Sequence, residues 1–443
     1  MRKLVSMALC LALSVTMLAG CGDNKKDVTQ NSSVENQISG IVSEPTEMVF
    51  IYADGDEGAK ETMDTIVSKF NDTYADMTIK IERGNGGTYS EFLQTKDSIG
   101  EFPDMLEMRD PAIYYRAGKI APLSDDIVAM FDSVELFDGK AYTAPYAGNN
   151  VQGIMYNRSF FKEHGINESP KTYDEFIQIC KDVKAAGMTP LCVGGNDLWH
   201  MGFWFNKFYT DEVITENPEF IADMYAGKTK WSDNNAKAVF QDMIDLFEYV
   251  DAGWASTPDA QLTTMLTTEK AAMLFSGTHM FSQIAAANPD FDLGWFAVPD
   301  KDGKFNLVGG STPSGWALSS EAAKDENKQK MFDEWCRFFF NDENYKYYSE
   351  KMNSIPTLKE NPDLDVSEPM QLALTALENA DLKVNMWNGK LGENELPPEF
   401  RNYCYKVVTE VIQGTKSIDA AVDELDKEWA NETVDFNPVK NNQ

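Results

Sequence analysis

From residue 48 onward the chain alternates strand-like and helix-like segments, and this alternation limits its fold more than any other feature. Residues 48–52 (MVFIY) form a short apolar run with high β propensity. Apolar residues then recur at helical spacing from Met63 to Phe70, and residues 78–81 (TIKI) indicate a second strand. Strand, helix and strand in this order predict an α/β layer with a partly parallel sheet.

The same alternation returns farther along the chain. Thr172 and Glu175 form a capping box before an apolar helical stripe, and residues 190–193 (PLCV) indicate the next strand. Helix dominates from about Lys324, and Ser417 caps a final amphipathic helix. No fixed-period repeat is present, which disfavours solenoids and propellers. A chain of 443 residues is long enough for two domains.

The first 20 residues have the pattern of a secretory leader, or signal peptide. Arg2 and Lys3 form a basic start, residues 4–18 are almost entirely apolar, and small residues precede Cys21. The letters LAGC that end at Cys21 resemble the lipobox of bacterial lipoproteins. That resemblance implies cleavage before Cys21 and acylation of its thiol, for example by palmitate. The alternative is an ordinary signal peptide whose cysteine is incidental.

A lipid at Cys21 would hold the protein on the extracytoplasmic face of the cell membrane. No second apolar run in the sequence is long enough to span a bilayer, so the lipid is the expected membrane attachment. Residues 21–46 are polar and poor in aromatic residues. This composition predicts a flexible tether, with order beginning near Met48.

The net charge of −32 argues against some classes of partner. Such an acidic surface repels phosphate backbones, so nucleic-acid binding is not expected. It also disfavours anionic ligands unless a local basic pocket exists.

Four cysteines remain beyond the leader and Cys21, at positions 180, 192, 336 and 404. They show no CxxC spacing and no neighbouring histidine cluster, so no metal site is predicted. Buried free thiols are expected, with a bridge between Cys180 and Cys192 as the alternative.

Several short segments become informative through their order along the chain. They are 102–106 (FPDML) and 117–123 (AGKIAPL), 142–146 (YTAPY) and 153–158 (GIMYNR), 170–176 (PKTYDEF) and 187–191 (GMTPL), and 270–273 (KAAM) with Gly277. Together they resemble family 1 extracellular solute-binding proteins, the sugar-binding subunits of ABC importers. Each segment alone is weakly specific, whereas their order and spacing between Met48 and Trp429 are specific.

This resemblance implies a type II periplasmic-binding-protein-like fold, with two α/β lobes, a hinge and a ligand cleft between the lobes. The chain is expected to cross between lobes first near residues 147–151 and again near residues 295–299. The expected divisions are a signal peptide at 1–20, a tether at 21–46, lobe 1 at 47–148 and 297–340, and lobe 2 at 149–296 and 341–443.

The resemblance also implies a function. The protein would bind a mono- or oligosaccharide in the cleft, act as a monomer, and deliver the sugar to the transmembrane permease subunits of an ABC transporter. No reaction and no cofactor is required. The alternatives are a secreted glycoside-acting enzyme and a peptide-binding surface lipoprotein. The sequence has only three histidines and no G-x-S-x-G, H-E-x-x-H or Walker motif, but its many carboxylates leave a glycosidase pair open.

The aromatic candidates for the ligand site are three tryptophans. Sugars stack their C–H faces on aromatic rings, and their hydroxyls need polar partners. Trp199 lies in a Gly-rich loop after a predicted strand, Trp204 lies five residues later, and Trp316 ends a second Gly-rich segment. The resemblance implies that both regions reach the cleft. Packing in the core is the alternative for each ring.

The polar candidates follow predicted strands or lie at the first crossing. Asp54 and Asp56 follow the first strand, where an ordinary turn is the alternative. Asp110 lies at the exit of another strand, with an ion pair to Arg109 as the alternative. Asn150 lies at the first crossing, where the family often places a polar sugar contact; a hinge turn is the alternative.

One position departs from the family pattern. His279 follows Gly277 and Thr278, where many relatives carry tryptophan, so less stacking and more hydrogen bonding are expected. Trp387 and Arg401 complete the candidate ligand-binding set, because the matching late segment lines the far side of the cleft in relatives.

Overall fold

The computed structural model describes residues 37–54, 57–84, 89–148, 150–309, 312, 314–387, 394–397, 399–434, 436 and 438. Cys21, the rest of the predicted leader and the candidate Asp56 lie outside these residues. Within them, none of the helices combines the length and the apolar character needed to cross a bilayer.

The described residues form twelve strands and sixteen α-helices. The strands are β1 Thr46–Ile51, β2 Met77–Ile81, β3 Met105–Met108, β4 Leu136–Phe137, β5 Lys140–Ala141, β6 Gln152–Asn157, β7 Thr189–Cys192, β8 Ala271–Gly277, β9 Leu293–Phe296, β10 Asn306–Val308, β11 Gly315–Leu318 and β12 Leu382–Val384. The helices are α1 Glu57–Thr73, α2 Tyr89–Ser98, α3 Pro111–Arg116, α4 Asp125–Val128, α5 Arg158–His164, α6 Tyr173–Ala185, α7 Met201–Tyr209, α8 Phe220–Tyr225, α9 Asn234–Phe247, α10 Leu262–Thr267, α11 Met280–Ala287, α12 Glu326–Phe339, α13 Asp342–Met352, α14 Glu368–Glu378, α15 Phe400–Ile412 and α16 Ile418–Glu432.

The first large sheet has the strand order β11-β3-β1-β2. Strand β1 runs parallel to β2 and β3, whereas β11 is antiparallel to β3. Parallel neighbours need a crossover, and α1 and α2 supply the two crossovers. The predicted strand–helix–strand unit at 48–81 is therefore confirmed.

The second large sheet has the order β7-β8-β6-β9. Strand β7 is parallel to β8, and β6 is antiparallel to both of its neighbours. Two glycines let aromatic rings lie directly on this sheet. A Cβ on Gly294 would come within 2.1 Å of the Tyr156 ring, and one on Gly153 within 2.4 Å of the Trp295 ring. Any side chain at these glycines would expel a ring, so the pairing of β6 with β9 depends on them.

Each sheet has its own hydrophobic core. In the first, the Phe50 ring lies 5.4 Å from Trp316 and 5.8 Å from Trp335, which α12 contributes. The second sheet packs on one side against a large aromatic cluster that includes α6, α7, α9, α15 and α16. On its other side it packs against an aliphatic cluster that includes α10, α11 and α14. The predicted architecture of two α/β lobes is confirmed.

The four described cysteines are buried and free. The alternative bridge between Cys180 and Cys192 does not form. Burial raises the pKa of every one of these thiols, because a thiolate is poorly solvated inside the protein. Their contribution is to packing rather than to redox or metal chemistry.

Over the residues that the structure describes, the chain crosses between the sheets at three places, and one expected crossing is wrong. The first crossing lies between Ala144, which bridges to β11, and the start of β6. The second was expected at 295–299, but β9 pairs with β6 there, and Ala297 and Leu307 still pack in a core of the second sheet. The second crossing therefore lies between β10 and β11.

The third crossing also lies later than expected. Helix α13, assigned from sequence to lobe 2, packs against α1, and its Tyr345 and Tyr348 belong to the core of the first sheet. The backbone of Thr357 and Lys359 still hydrogen bonds to the first lobe. The chain therefore returns to the second lobe only between Lys359 and α14, and the predicted boundary at residue 340 is too early.

The tether predicted at 21–46 ends too late in the sequence, because residues from Gln37 onward already contact the first lobe. The Gln37 side chain donates to the carbonyl of Asp72 at 2.9 Å, and the Ile38 amide donates to that of Thr73 at 2.8 Å. Val42 is buried in the first core, and the Ser43 amide donates to Asn327. Composition missed this because a polar segment can be ordered by hydrogen bonds to helices that are distant in sequence.

A substitution at Gly315 tests how closely β11 packs against the start of the first crossing. A Cβ at this position would lie 2.3 Å from the carbonyl oxygen of Ala144, which accepts a hydrogen bond from Trp316 at 2.9 Å. We expect Gly315→Ala to lower the free energy of unfolding by about 1–3 kcal/mol, because backbone must move to admit the methyl group. Chemical denaturation measures this.

Gly253→Ala is the matched control. There the nearest atom to an added Cβ is the Asp251 carboxylate at 3.4 Å, and the backbone φ of −90° is open to alanine. Equal destabilisation by the two substitutions would show that the contact with Ala144 does not matter.

Candidate functional site

In each large sheet, the strand ends that lead into the crossings lie at the same edge, as the strand register shows. In the first sheet, Gly315 at the start of β11 pairs with Met108 at the end of β3. In the second, Gln152 at the start of β6 pairs with Gly277 at the end of β8. The first and second crossings join these edges, so the ends of β3 and β8 flank the hinge. Ligands of open α/β sheets bind at such strand ends.

On the first edge, the carboxylate of Glu107 holds three elements together. It accepts hydrogen bonds from the Ala53 amide at 2.8 Å, the Tyr146 hydroxyl at 2.8 Å and Arg109 Nε at 2.7 Å. Glu107 is only 5% exposed. Tyr89 donates to its backbone carbonyl, and the Arg109 guanidinium lies over the Tyr89 ring at 5.5 Å. Strand ends, crossing and α2 are thereby locked together.

A second polar cluster on this edge is built on Arg83, which follows β2. It forms ion pairs with Asp54 at 3.1 Å and with Asp64, and it donates to the Tyr52 hydroxyl at 2.9 Å. Burial raises the pKa of Tyr52 to about 12, so this hydroxyl stays protonated at neutral pH. The candidate Asp54 therefore lies at the predicted edge, but it is engaged by a protein cation.

On the second edge, three of the candidates lie close together. Asn150 accepts a hydrogen bond from the Thr278 hydroxyl at 3.2 Å, and the His279 ring packs beside Gly277. The Phe203 ring stacks 6.3 Å from His279 and lies 5.9 Å from Trp199. Asn150 and His279 are thus linked through Gly277, and His279 and Trp199 through Phe203; the three side chains are called the second-lobe face below.

Trp199 is the exposed ring of the second-lobe face, with 46% of its surface accessible. It lies on a short 3₁₀ turn, residues 198–200, between β7 and α7. The neighbouring His200 is fully buried, and its Nδ1 lies 3.0 Å from Asp259 Oδ1. The rings of His200 and Phe203 lie 5.5 and 5.9 Å from the Trp199 ring, so this exposed ring is held by packing on one side.

His279 is neutral at physiological pH. Burial lowers its pKa from the ordinary 6.5, and His200 adds to that effect while Asp259 opposes it. A neutral imidazole offers one donor and one acceptor, which suits hydroxyl groups rather than a charged ligand. Its Nδ1 is buried without a hydrogen-bond partner among the described residues.

Three predicted contacts prove to be core residues, and these predictions are corrected. Trp204, Trp316 and Trp387 are each about 1% exposed. Trp204 stacks on Phe275 at 4.1 Å, Trp316 packs on Tyr146 at 4.5 Å, and Trp387 lies 4.9 Å from Phe205. For Trp316 the preceding glycines mislead, because glycine also lets strands and rings pack closely.

The remaining candidates have different positions. Asp110 is exposed immediately before α3, at the end of β3, and the alternative ion pair with Arg109 does not form, because Arg109 pairs with Glu107. Arg401 is half-buried on α15, which packs against the turn that carries Trp199. Its Nε donates to Asn402 at 3.3 Å.

Sequence reasoning missed the residues that support the site, namely Tyr89, Glu107, Arg109, Phe203, Asp259 and Thr278. Arg109 and Thr278 had a usable signal, because each directly follows a strand. Glu107 had none, since a carboxylate inside an apolar strand is unusual and its partners are distant in sequence.

The two lobes also touch away from the crossings. Arg116 of α3 forms an ion pair with Glu395 at 2.6 Å, and Asn385 donates to Glu135 at 3.0 Å. Among the residues that the structure describes, no group of three or more histidine, cysteine, aspartate or glutamate side chains is placed to hold a metal ion.

Comparison with known proteins assigns the chain to a family. The family model described as bacterial extracellular solute-binding protein matches residues 65–373, more than half of the chain. An uncharacterized ABC transporter extracellular-binding protein of Pyrococcus horikoshii is 23% identical over 388 residues, covering 84% of this chain and 83% of that protein. The diacetylchitobiose binding protein DasA of Streptomyces coelicolor is 27% identical over 211 residues, covering 45% of this chain and 47% of that protein.

Solved structures show the same fold. A chitin oligosaccharide binding protein matches with a TM-score of 0.72 at 22% identity, over 87% of this chain and 98% of that chain. The solute-binding protein RafE in complex with raffinose matches with a TM-score of 0.66 at 19% identity, over 88% of this chain and 100% of that chain. The periplasmic-binding-protein-like fold expected from sequence is therefore confirmed. The chain belongs to the bacterial extracellular solute-binding protein family, whose members are transport proteins rather than enzymes.

Proposed function

We propose that this protein is the lipid-anchored receptor of an ABC importer, and that it binds a mono- or oligosaccharide between its lobes and delivers it to the permease. The observation that carries the proposal is the second-lobe face. There a half-exposed tryptophan, a neutral histidine and an asparagine lie together beside the hinge.

The chemistry of the second-lobe face suits a sugar. The Trp199 ring offers a flat apolar surface for the C–H face of a pyranose, and the amide of Asn150 and the imidazole of His279 offer hydrogen bonds to hydroxyls. None of these groups carries a full charge at neutral pH, so the face does not select for an ionic ligand. Peptide capture would instead call for charged groups that bind the termini.

The names or titles of several proteins similar to this chain mention a sugar. They include DasA, a multiple sugar-binding protein of Streptococcus mutans, and structures in complex with raffinose and with stachyose. Their variety supports a carbohydrate as the ligand class and leaves the individual sugar open.

The three crossings support the proposed hinge motion. Each is a short connection between lobes that have separate cores, so the lobes can rotate with little disturbance inside either. A sugar favours the closed form only if it contacts both lobes. We infer that it lies between the second-lobe face and the edge of the first sheet around Arg109, with lobe 1 at 37–144 and 315–359 and lobe 2 at 152–308 and 368–434.

Anchoring is the second part of the proposal. The lipobox-like letters that end at Cys21 support acylation, and the described chain begins to contact the first lobe at Gln37. The roughly 15 residues between these points would leave the folded lobes close to the membrane, where a permease is reached by short-range diffusion.

The ligand class is tested by a thermal-shift screen of the mature protein against raffinose, stachyose, diacetylchitobiose, xylo-oligosaccharides, galactose and a set of short peptides. We expect at least one sugar to raise Tm, since a ligand at 100 times its Kd stabilises the native state by about 2.7 kcal/mol. Stabilisation by peptides alone would overturn the sugar assignment, and release of reducing sugar from an oligosaccharide would indicate an enzyme.

Trp199→Ala should weaken binding of the sugar found in that screen by roughly 5- to 150-fold, by analogy with stacking on aromatic side chains. The Tm of the ligand-free variant should change little, because the ring is half-exposed. Trp204→Ala is the comparison: this core ring should cost about 3–5 kcal/mol of folding stability. Calorimetric affinity and ligand-free melting separate the two, and unchanged affinity in Trp199→Ala would remove this ring from the site.

Cys21→Ser should abolish acylation and release the protein from the membrane fraction. Fractionation after a high-salt wash measures this, since salt removes weak ionic association. Retention of the variant with washed membranes would show that Cys21 is not the anchor.

A further inference from the structure

Arg109 has a guanidinium group that is only partly used by the protein. Its side chain is 51% exposed at the end of β3, on the edge of the first sheet that flanks the hinge. Nε donates to Glu107 at 2.7 Å, whereas the two terminal Nη groups make no hydrogen bond with any described residue. Two parallel donors therefore remain open.

The surroundings of Arg109 hold the guanidinium in place. Glu107, which accepts from Nε, is itself fixed by the Ala53 amide and the Tyr146 hydroxyl. The Tyr89 ring lies beneath the guanidinium, and the Ser314 hydroxyl donates to the Arg109 carbonyl at 3.2 Å. A long side chain normally loses much rotamer freedom on binding a ligand, and here most of that freedom is already lost.

The positions of these supports point toward the cleft. Tyr146 belongs to the first crossing and Ser314 to the second, so Arg109 is linked to the first connection through Glu107 and to the second through its own carbonyl. Asn150 of the second-lobe face lies on the same first crossing, four residues after Tyr146. A ligand lying on the Trp199 side of the cleft would therefore meet Arg109 from the opposite lobe.

The local charge decides which ligand class fits this open pair of donors. Among its described residues, the first-lobe edge holds two cations, Arg83 and Arg109, and four carboxylates, those of Asp54, Asp64, Glu107 and Asp110. The edge has no surplus positive charge with which to hold an anionic sugar. Two adjacent hydroxyls of a neutral sugar offer a matching pair of acceptors without adding negative charge.

We propose that Arg109 is a specificity-determining residue that binds two adjacent hydroxyls of a neutral sugar through its Nη groups, and that Glu107 is its positioning residue. This proposal rests on the proposed sugar-binding function. In this proposal Arg109 is the first-lobe contact of the ligand. A sugar that bridges Arg109 and the second-lobe face favours the closed form, so closure depends on the ligand.

The test compares Arg109→Gln, Arg109→Lys and the matched control Arg337→Gln, an arginine on the outer surface of α12 that pairs with Asp126 and Glu334. Calorimetry is run with the neutral sugars of the screen and with a short oligogalacturonate as the acidic probe. Both Arg109 variants should bind the neutral sugar roughly 10- to 100-fold more weakly, since lysine has no planar fork. Arg337→Gln should bind like the wild type.

The role of Glu107 has its own readout. Glu107→Gln keeps an acceptor for Nε but removes the charge, so it should weaken sugar binding less than Arg109→Gln does. In the wild type, phenylglyoxal should modify Arg109 faster than the paired Arg83, and bound sugar should protect it. Faster modification of Arg109 in Glu107→Gln, with native melting, would show the loss of positioning.

The outcomes separate this inference from the function on which it rests. If no sugar binds the wild type, the proposed function fails and this inference falls with it. If a neutral sugar binds the wild type and both Arg109 variants equally well, only the role of Arg109 is overturned. If oligogalacturonate binds more tightly than every neutral sugar and requires Arg109, the residue binds ligand but the neutral class is wrong.

Discussion

The buried carboxylate of Glu107 is the interaction on which the cleft depends most. It joins the end of β1 through the Ala53 amide, the first crossing through Tyr146 and the strand exit of β3 through Arg109. A buried charge is costly unless it is fully hydrogen bonded, and these three donors meet that requirement. One side chain therefore fixes the edge of the first sheet relative to the hinge, and any group on that edge has a defined position before a ligand arrives.

The second lobe holds the side chains of its ligand surface in place without a buried charge there. Its supports are aromatic and glycine contacts: Phe203 beneath Trp199 and His279, and Gly277 beside the His279 ring. Polar pre-organisation on one lobe and aromatic pre-organisation on the other suit the two kinds of surface that a sugar presents. Both reduce the entropy lost on binding, so closure can be driven by a small number of contacts.

The sequence predicted the architecture better than the site, and particular residues show why. Strand and helix periodicity is a local property, so β1, α1 and β2 were foreseeable from residues 48–81 alone. Whether a tryptophan is core or surface depends on what packs over it from elsewhere in the chain. Trp316 is covered by Phe50 and Trp335, and no sequence pattern within ten residues of Trp316 indicates either contact. The second crossing escaped prediction for the same reason, since β9 pairs with a strand more than 130 residues away.

The strongly acidic composition has a consequence for specificity that extends beyond solubility. A net charge of −32 repels anionic ligands at long range, but salt screens that field beyond about 10 Å, so selection within the cleft rests on local groups. On the first-lobe edge, each arginine is matched by at least one carboxylate, and on the second-lobe face the polar groups are neutral. The long-range field and the local charges thus both disfavour an anionic ligand. An arginine in such a setting contributes the geometry of its donors rather than its charge, because its charge is already balanced by the carboxylate that holds it.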